Sequence, residues 1–452
     1  MTKNKPSPWA TIQEMLQHGD SPVAIEDYLR QFDIAELIHA VYRLDPDEQR
    51  RLLAIVSPET AAGLIEEVPD SFAAELFEDM SPQDAAPIVE ELASDHRVDV
   101  LSELDSEDAE AIIAELDVED ADEVRELIAY DRDQAGGLMM REFASYPMSM
   151  TVKEVVDDIT SRGEYELLTV HYIYVVVKHR KLKGVVRLRD LVFSSPEQKI
   201  GQVARPAFTV GPEATLDELS FFFDEHDIAA VPVVSERGML LGIVRRRSVL
   251  EALTERAESD NLKVAGIMGG DELRSMPVFV RSRRRLSWLS INILLNVIAA
   301  SVIAAYEDTL AAVIALAVFL PIVSDMSGCS GNQAVAVSMR ELTLGAAVPR
   351  DVLRVWRKEV MVGLINGTSL GVLLGLAAWL WKGDAILAAV VGVALALNTV
   401  VAVSVGGVVP LLLRALKRDP AVASGPLLTT VTDMCGFFLL LSLATLVLPA
   451  VS

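Results

Sequence analysis

The chain has 452 residues, 51% of them hydrophobic, and yet a formal net charge of −25. Its length suits about three domains. A pI near 4.7 excludes a nucleic-acid-coating protein, which needs basic surface, and two cysteines, Cys329 and Cys435, exclude a disulfide scaffold.

The charge is unevenly spread. Residues 286–452 carry nine acidic and nine basic residues, so the whole excess of −25 lies in residues 1–285. An acidic soluble half therefore precedes an apolar membrane half. Met1 to Ser7 is polar, which predicts no cleavable signal peptide and a soluble half kept in the cytoplasm.

Residues 57–128 repeat with a period of twelve. The units read SPETAAGLIEEV, PDSFAAELFEDM, SPQDAAPIVEEL, ASDHRVDVLSEL, DSEDAEAIIAEL and DVEDADEVRELI. Each closes on an apolar residue: Val68, Met80, Leu92, Leu104, Leu116 or Ile128. Ser, Asp or Pro opens most of them, as a helix cap or first turn requires. Each unit predicts one short helix and a turn, and stacked units predict a helical superhelix. From Glu66 to Asp133 there are 25 acidic residues against Arg97, Arg125 and Arg132, a net of −22. Two uses stay open here: a solvated helical face, or a divalent-cation sensor that is drawn in by cations and repelled without them.

Residues 141–254 contain two similar units of helix, strand, turn, strand and helix. The pairs YVVV/KGVV and VPVV/LLGIV are β-branched strands joined by polar turns. Arg187 to Asp190 and Arg245 to Ser248 lead into the following helices. A helix N-terminus is a natural phosphate site, so ATP is a candidate ligand, although Ser248 stands where an acidic ribose partner would be expected. His171, His179 and His226 lie here without a nucleophile at a plausible elbow and read as core or surface histidines, so no enzyme is expected. Residues 255–285 hold Glu255, Glu258, Asp260, Asp271 and Glu272, followed by Arg281, Arg283, Arg284 and Arg285. This connector reads either as a transmission element or as a passive linker.

Five segments approach the ~20 apolar residues of a membrane span: 286–306, 309–339, 360–381, 385–413 and 420–452. Only Asp325 charges the second and only Asp433 the fifth before their ends. Basic clusters precede the first span and separate the second from the third and the fourth from the fifth. They predict a cytoplasmic N-terminus and an external C-terminus. Trp288, Trp356, Trp379 and Trp381 suit the interfaces. Pro321 and Pro410 are expected to interrupt helices. Gly363, Gly367, Gly371 and Gly375 line one face of the third span, where packing is the plainer reading. Asp433 and Asp325 are expected either to face a bundle interior or a water-filled path or to make an interhelical hydrogen bond as protonated carboxyls, and PIVSDMSGCSGNQ, ending on Asn332 and Gln333, reads as a broken or unwound helix. Carboxylates without histidine or paired cysteine favour hard cations such as magnesium, calcium or manganese. One Asp433 per chain suggests a symmetric dimer.

The layout resembles the MgtE family of magnesium transporters and channels. DRDQAGGLMM (131–140) is similar to the family's domain junction, and LKGVVRLRDL (182–191) and VPVVSERGMLLGIV (231–244) to its CBS strands. RKEVMVG (357–363) is similar to the start of its third span, and RDPAVASGPLLTTVTDMCGF (418–437) to its last loop and fifth span. The resemblance implies a multidomain α + α/β + membrane α fold. Its parts are an acidic helical-repeat superhelix at 1–135, a tandem CBS module at 136–254, a connecting or plug helix at 255–285 and a five-helix transmembrane pore domain at 286–452. It implies a homodimer in a bacterial-type plasma membrane, with magnesium both transported and regulatory. It further implies that Asp433 contacts hydrated magnesium, that Asn332 lies by the pore, and that Asp227, Glu258 and Asp260 are sensor residues; Asp325 is added relative to the family pattern and reads either as a second carboxylate ring or as compensation for lost side-chain oxygens. Cytosolic magnesium would hold the pore closed. Two positions depart from the family pattern: Cys329 stands where Asn is common, and Gly425-Pro426 replaces Asn-Pro. They bear on ion selectivity rather than on fold. The alternatives are transport or export of another divalent ion, cobalt or manganese, and a poreless membrane-tethered cation or nucleotide sensor.

Overall fold

The structure, a computed structural model, describes residues 8–78, 80–162, 171–267, 272, 276, 278–343 and 345–447. Asp271 of the connector and residues 448–452 of the fifth apolar segment lie outside them. The chain divides into two compact units near Arg256.

The first unit opens with ten helices: α1 (Pro8–His18), α2 (Pro22–Leu29), α3 (Ile34–Val41), α4 (Pro46–Ile55), α5 (Pro58–Ile65), α6 (Asp70–Glu78), α7 (Pro82–Glu91), α8 (Ser94–Glu103), α9 (Ser106–Ile113) and α10 (Val118–Ile128). Each twelve-residue unit supplies one helix, from α5 to α10. Ser57 and Ser81 cap α5 and α7 by accepting from Thr60 N and Asp84 N. Pro58 and Pro82 occupy the first helical position, where a missing N–H costs nothing. Helices two apart pack together: α5 on α7, α6 on α8, α7 on α9 and α8 on α10. Of the unit-closing residues, Val68, Leu92, Leu104 and Leu116 are buried and Met80 is half-buried. Ile128 is exposed at the end of the last helix of the stack.

The next elements are α11 (Ala135–Leu138), β1 (Ser145–Pro147), α12 (Val152–Arg162), β2 (Tyr172–Val177), β3 (Lys181–Arg187), α13 (Leu188–Val192), α14 (Ile200–Val203), α15 (Leu216–Glu225), β4 (Ala230–Val234), β5 (Leu240–Arg245) and α16 (Arg246–Val264). β2 and β3 pair antiparallel with Tyr174 opposite Val185, and β1 adds in parallel. β4 and β5 pair antiparallel with Val233 opposite Gly242. The expected strand pairs are therefore present in both copies. Val98 of α8 and Leu127 of α10 share a core with Leu216, Val231 and Val244, so the stack and the second copy close over common apolar residues.

The second unit holds the end of α16 and six further helices: α17 (Val278–Ala305), α18 (Glu307–Ala312), α19 (Leu316–Thr343), α20 (Val352–Lys382), α21 (Ala385–Ala415) and α22 (Pro420–Val447). Among the described residues, four helices are long and apolar enough to cross a membrane: α17, α20 with its preceding turn, α21 and α22. The second expected span differs. A short α18 precedes α19, which is 28 residues long but carries Asp325, Asn332, Gln333, Arg340 and Glu341. Its PIVSDMSGCSGNQ stretch is continuous helix, not broken or unwound. Pro321 and Pro410 also lie inside helices rather than ending them. Neighbouring helices shield a proline's freed backbone groups in such a bundle. The glycine stripe does pack, against α21. A Cβ on Gly367 would stand 2.6 Å from Ala396 O, and one on Gly371 2.5 Å from Gly392 O. The two backbones touch where a side chain would hold them apart.

Candidate functional site

Asp433 sits near the middle of α22, half-buried. The Ser324 hydroxyl of α19 donates to its Oδ1. Ser324 is itself buried. Asp325 follows Ser324 on α19. Among the described residues neither carboxylate has a basic ion-pair partner. Gly436, one turn beyond Asp433, lets Asn398 of α21 approach, since a Cβ there would lie 2.7 Å from Asn398 Nδ2. Asn398 Nδ2 donates to Thr432 O at 3.0 Å, while its Oδ1 is buried without a partner among the described residues. Ser324, Asn398 and Thr432 were not singled out from the sequence. The signal was present for Asn398, whose polar side chain interrupts a long apolar run. Ser324 has no such signal, because serine is common in membrane helices and bonds its own backbone.

The other expected residues distribute as follows. Asp325, Cys329, Asn332 and Gln333 are all exposed, along one side of α19. Asp227 is fully exposed and lies 3.7 Å from Arg246 at the start of α16. Glu258 is exposed and Asp260 half-buried, three to four turns farther along α16. Among the described residues no three His, Cys, Asp or Glu side chains converge on one point that could hold a metal ion. Asp227 belongs to the first unit, Glu258 and Asp260 to the second.

The connector does meet the helix that carries Asp433. Lys263 lies 3.5 Å from Asp419, and Asp419 Oδ1 accepts from Ala421 N at 2.8 Å to cap α22. Beyond α16, Gly266 takes φ +88°, and a Cβ on it would strike Trp288 of α17. Only glycine combines that left-handed backbone with so close an indole.

In the first unit several partly buried carboxylates gather around arginines. Arg132 donates to Asp70 at 2.7 Å, to Asp99 at 3.1 Å and to Glu103. Burial and the neighbouring Asp70 charge push Asp99 up to about 7, against the pull of Arg132. Arg97 is buried and ties Asp120 to the carbonyls of Glu90 and Leu92.

A cavity of about 440 Å³ opens between the two strand pairs and the start of α16. Glu142, Tyr172, Tyr174, Arg245, Arg246 and Arg247 are among its walls. The Tyr174 hydroxyl is buried without a hydrogen-bond partner among the described residues, and burial pushes its pKa up. An aromatic wall, a helix start and an arginine cluster suit a planar ring bearing phosphate. Of the three histidines, His171 lines this cavity. His226 stacks on Phe222 and bonds its carbonyl, while the His179 side chain lies outside the described residues.

Residues 320–443 match the family model described as "MgtE: Divalent cation transporter", and residues 30–133 match the "MgtE intracellular N domain". Residues 135–197 and 200–255 each match the CBS domain. The magnesium transporter MgtE of Thermus thermophilus is 37% identical over 332 residues, 73% of either chain. The chain belongs to the MgtE family. The Bacillus subtilis protein named magnesium transporter MgtE is 32% identical over 326 residues, 71% of either chain. In fold alone, the chain is similar to a crystal structure described as the soluble part of a magnesium transporter. That likeness has a TM-score of 0.50 and 24% identity, over 55% of this chain and 98% of that one.

MgtE proteins are transporters, not enzymes. The MgtE transporter match contains Ser324, Asp325, Asn332, Asn398 and Asp433, and the MgtE N-domain match contains the helical repeats and Arg132. Asp227 falls within the second CBS match, whereas Glu258 and Asp260 fall between matches.

Proposed function

We propose that this protein carries magnesium across the cell membrane through a homodimeric pore, with Asp433 as the carboxylate that meets the ion. The observation that carries this reading is an intramembrane carboxylate held by a serine hydroxyl, with no basic side chain to neutralise it among the described residues. Such a group is costly in a bilayer unless a cation or a water path offsets it. Magnesium keeps several of its waters, so the carboxylate oxygens accept hydrogen bonds from a hydrated ion. The exposed polar side of α19 (Asp325, Cys329, Asn332, Gln333) supports the dimer, because a single chain would leave it to lipid. Asp325 then adds a second carboxylate on the same path. Family membership favours magnesium over cobalt or manganese.

Gating follows from charge. With a net of −22 between Glu66 and Asp133, the stack repels itself and its acidic surroundings. Cytosolic magnesium screens that repulsion and holds the domains in a closed arrangement. Asp227, Glu258 and Asp260 contribute carboxylates to that effect, and Lys263–Asp419 carries the movement to α22. The cavity beside α16 is a nucleotide site for ATP, on the strength of its arginines and the unpartnered Tyr174 hydroxyl.

The test is magnesium flux into liposomes, comparing wild type with Asp433→Ala at low and high magnesium on the cytoplasmic face. Flux that needs Asp433 and stops at high cytoplasmic magnesium supports the reading. Equal flux from both proteins rejects Asp433 as the pathway carboxylate. Flux from neither, with cation binding intact in the soluble half, favours the poreless sensor.

A further inference from the structure

Two walls of the CBS cavity also hold the helical stack, and the inference drawn from this rests on the cavity being a ligand site. Arg245 lines the cavity and donates from Nη2 to Asp95 at 2.8 Å. Its Nε reaches Ser248 Oγ at 3.3 Å. Glu142 also lines the cavity, and it accepts from Ser94 N at 3.1 Å and from Ser94 Oγ at 2.8 Å. Ser94 and Asp95 are the first residues of α8, and both are buried.

The sequence repeat makes this contact informative. Ser57 and Ser81 cap their own helices, but the unit ASDHRVDVLSEL places Ala93 at that position, which has no side-chain acceptor. A first-turn N–H left without a partner is costly when buried. Here Glu142, from the CBS pair, supplies the missing acceptor. The start of α8 is therefore finished by two cavity residues, one acidic and one basic.

We infer that an anionic ligand entering the cavity competes with Asp95 for Arg245, so that ligand occupancy and the seating of α8 on the CBS pair oppose one another. The ligand class is a nucleotide or other phosphate ester. A guanidinium fork takes phosphate oxygens two at a time, which a single Asp95 contact does not match. Arg246 and Arg247, whose partners Asp227 and Glu251 are exposed, stand beside Arg245 to take further phosphate oxygens, and of the three only Arg245 is tied to the stack. The coupling is reciprocal: whatever loosens α8 tightens the ligand, and the ligand loosens α8.

The experiment is calorimetric titration of ATP into the full-length protein in detergent, comparing wild type with Asp95→Asn, together with amide exchange over residues 94–104. Asp95→Asn keeps the side-chain size and removes the competing charge. ATP should bind this variant about fivefold or more tightly, the low end of ordinary coupling between sites. Saturating ATP should speed exchange at 94–104 in wild type and have little effect in the variant. Ser94→Ala, which leaves the Asp95 charge in place, should shift ATP affinity in the same direction by a smaller factor. Equal ATP affinity in wild type and Asp95→Asn, with exchange unchanged by ATP, overturns the coupling while leaving the cavity as a ligand site. No ATP binding to either protein at millimolar concentration overturns both.

Discussion

The helical stack and the membrane bundle both close helix on helix, yet they place polar groups in opposite positions. The stack uses helices of 8 to 11 residues, turns its carboxylates to water and buries alanine, leucine and phenylalanine. Apart from the short α18, the bundle uses helices of 28 to 31 residues with apolar side chains outside, and it buries Ser324, Ser327, Ser330, Asn398 and Thr432. Each solvent decides what belongs at the surface. The informative residues are those that break their region's rule. In the stack these are the buried Asp95 and Arg97 and the half-buried Asp99; in the bundle, the exposed polar side of α19 and the carboxylate of Asp433.

Attacking those exceptions tests the contrast. The largest effect is expected from Asp433→Ala, which should reduce magnesium flux to the level of empty liposomes while the protein still folds. Next is Gly371→Val. Its side chain would meet the Gly392 carbonyl, a backbone group that cannot move aside, so the yield of monodisperse protein in detergent should collapse. Arg132→Ala should destabilise the stack by about 2–3 kcal/mol, below the usual figure for a broken buried pair because Arg132 is one-third exposed. Denaturant unfolding read by exchange at residues 70–103 would measure it.

A smaller effect concerns pH. Asp99 keeps its proton up to about pH 7 in the folded chain but ionises near pH 4 when unfolded. The folded state thus holds an extra proton between those values, and stability falls as pH rises through that window. Asp99→Asn should flatten the dependence of melting temperature on pH from 4 to 7. Smallest is Ser81→Ala, which removes the cap acceptor for Asp84 N and should cost about 1 kcal/mol, confined to α7.

Much of the fold was legible because its signals are local. The twelve-residue period gave α5 to α10 one helix each, and the β-branched pairs gave β2 to β5. The charge partition located the membrane half. The continuity of α19 was not legible. Prolines and polar residues suggest a break when read alone, and only the neighbouring α21 and α22 make that helix tenable. The site was legible in part. Asp433 stands out as a lone charge in an apolar run, whereas Ser324 becomes significant only once α19 and α22 lie side by side. The role of Arg245 in seating α8 depends on residues 150 positions apart, a pairing that no local pattern encodes.

The exposed polar side of α19 also bears on how the protein enters its membrane. As the chain emerges from the ribosome, this helix is made before α21 and α22, the two helices that cover its serines, and it is too polar to partition into lipid by itself. Its insertion is therefore expected to depend on those later helices. In this order of synthesis, residues 385–447 complete the surroundings of a helix made before them.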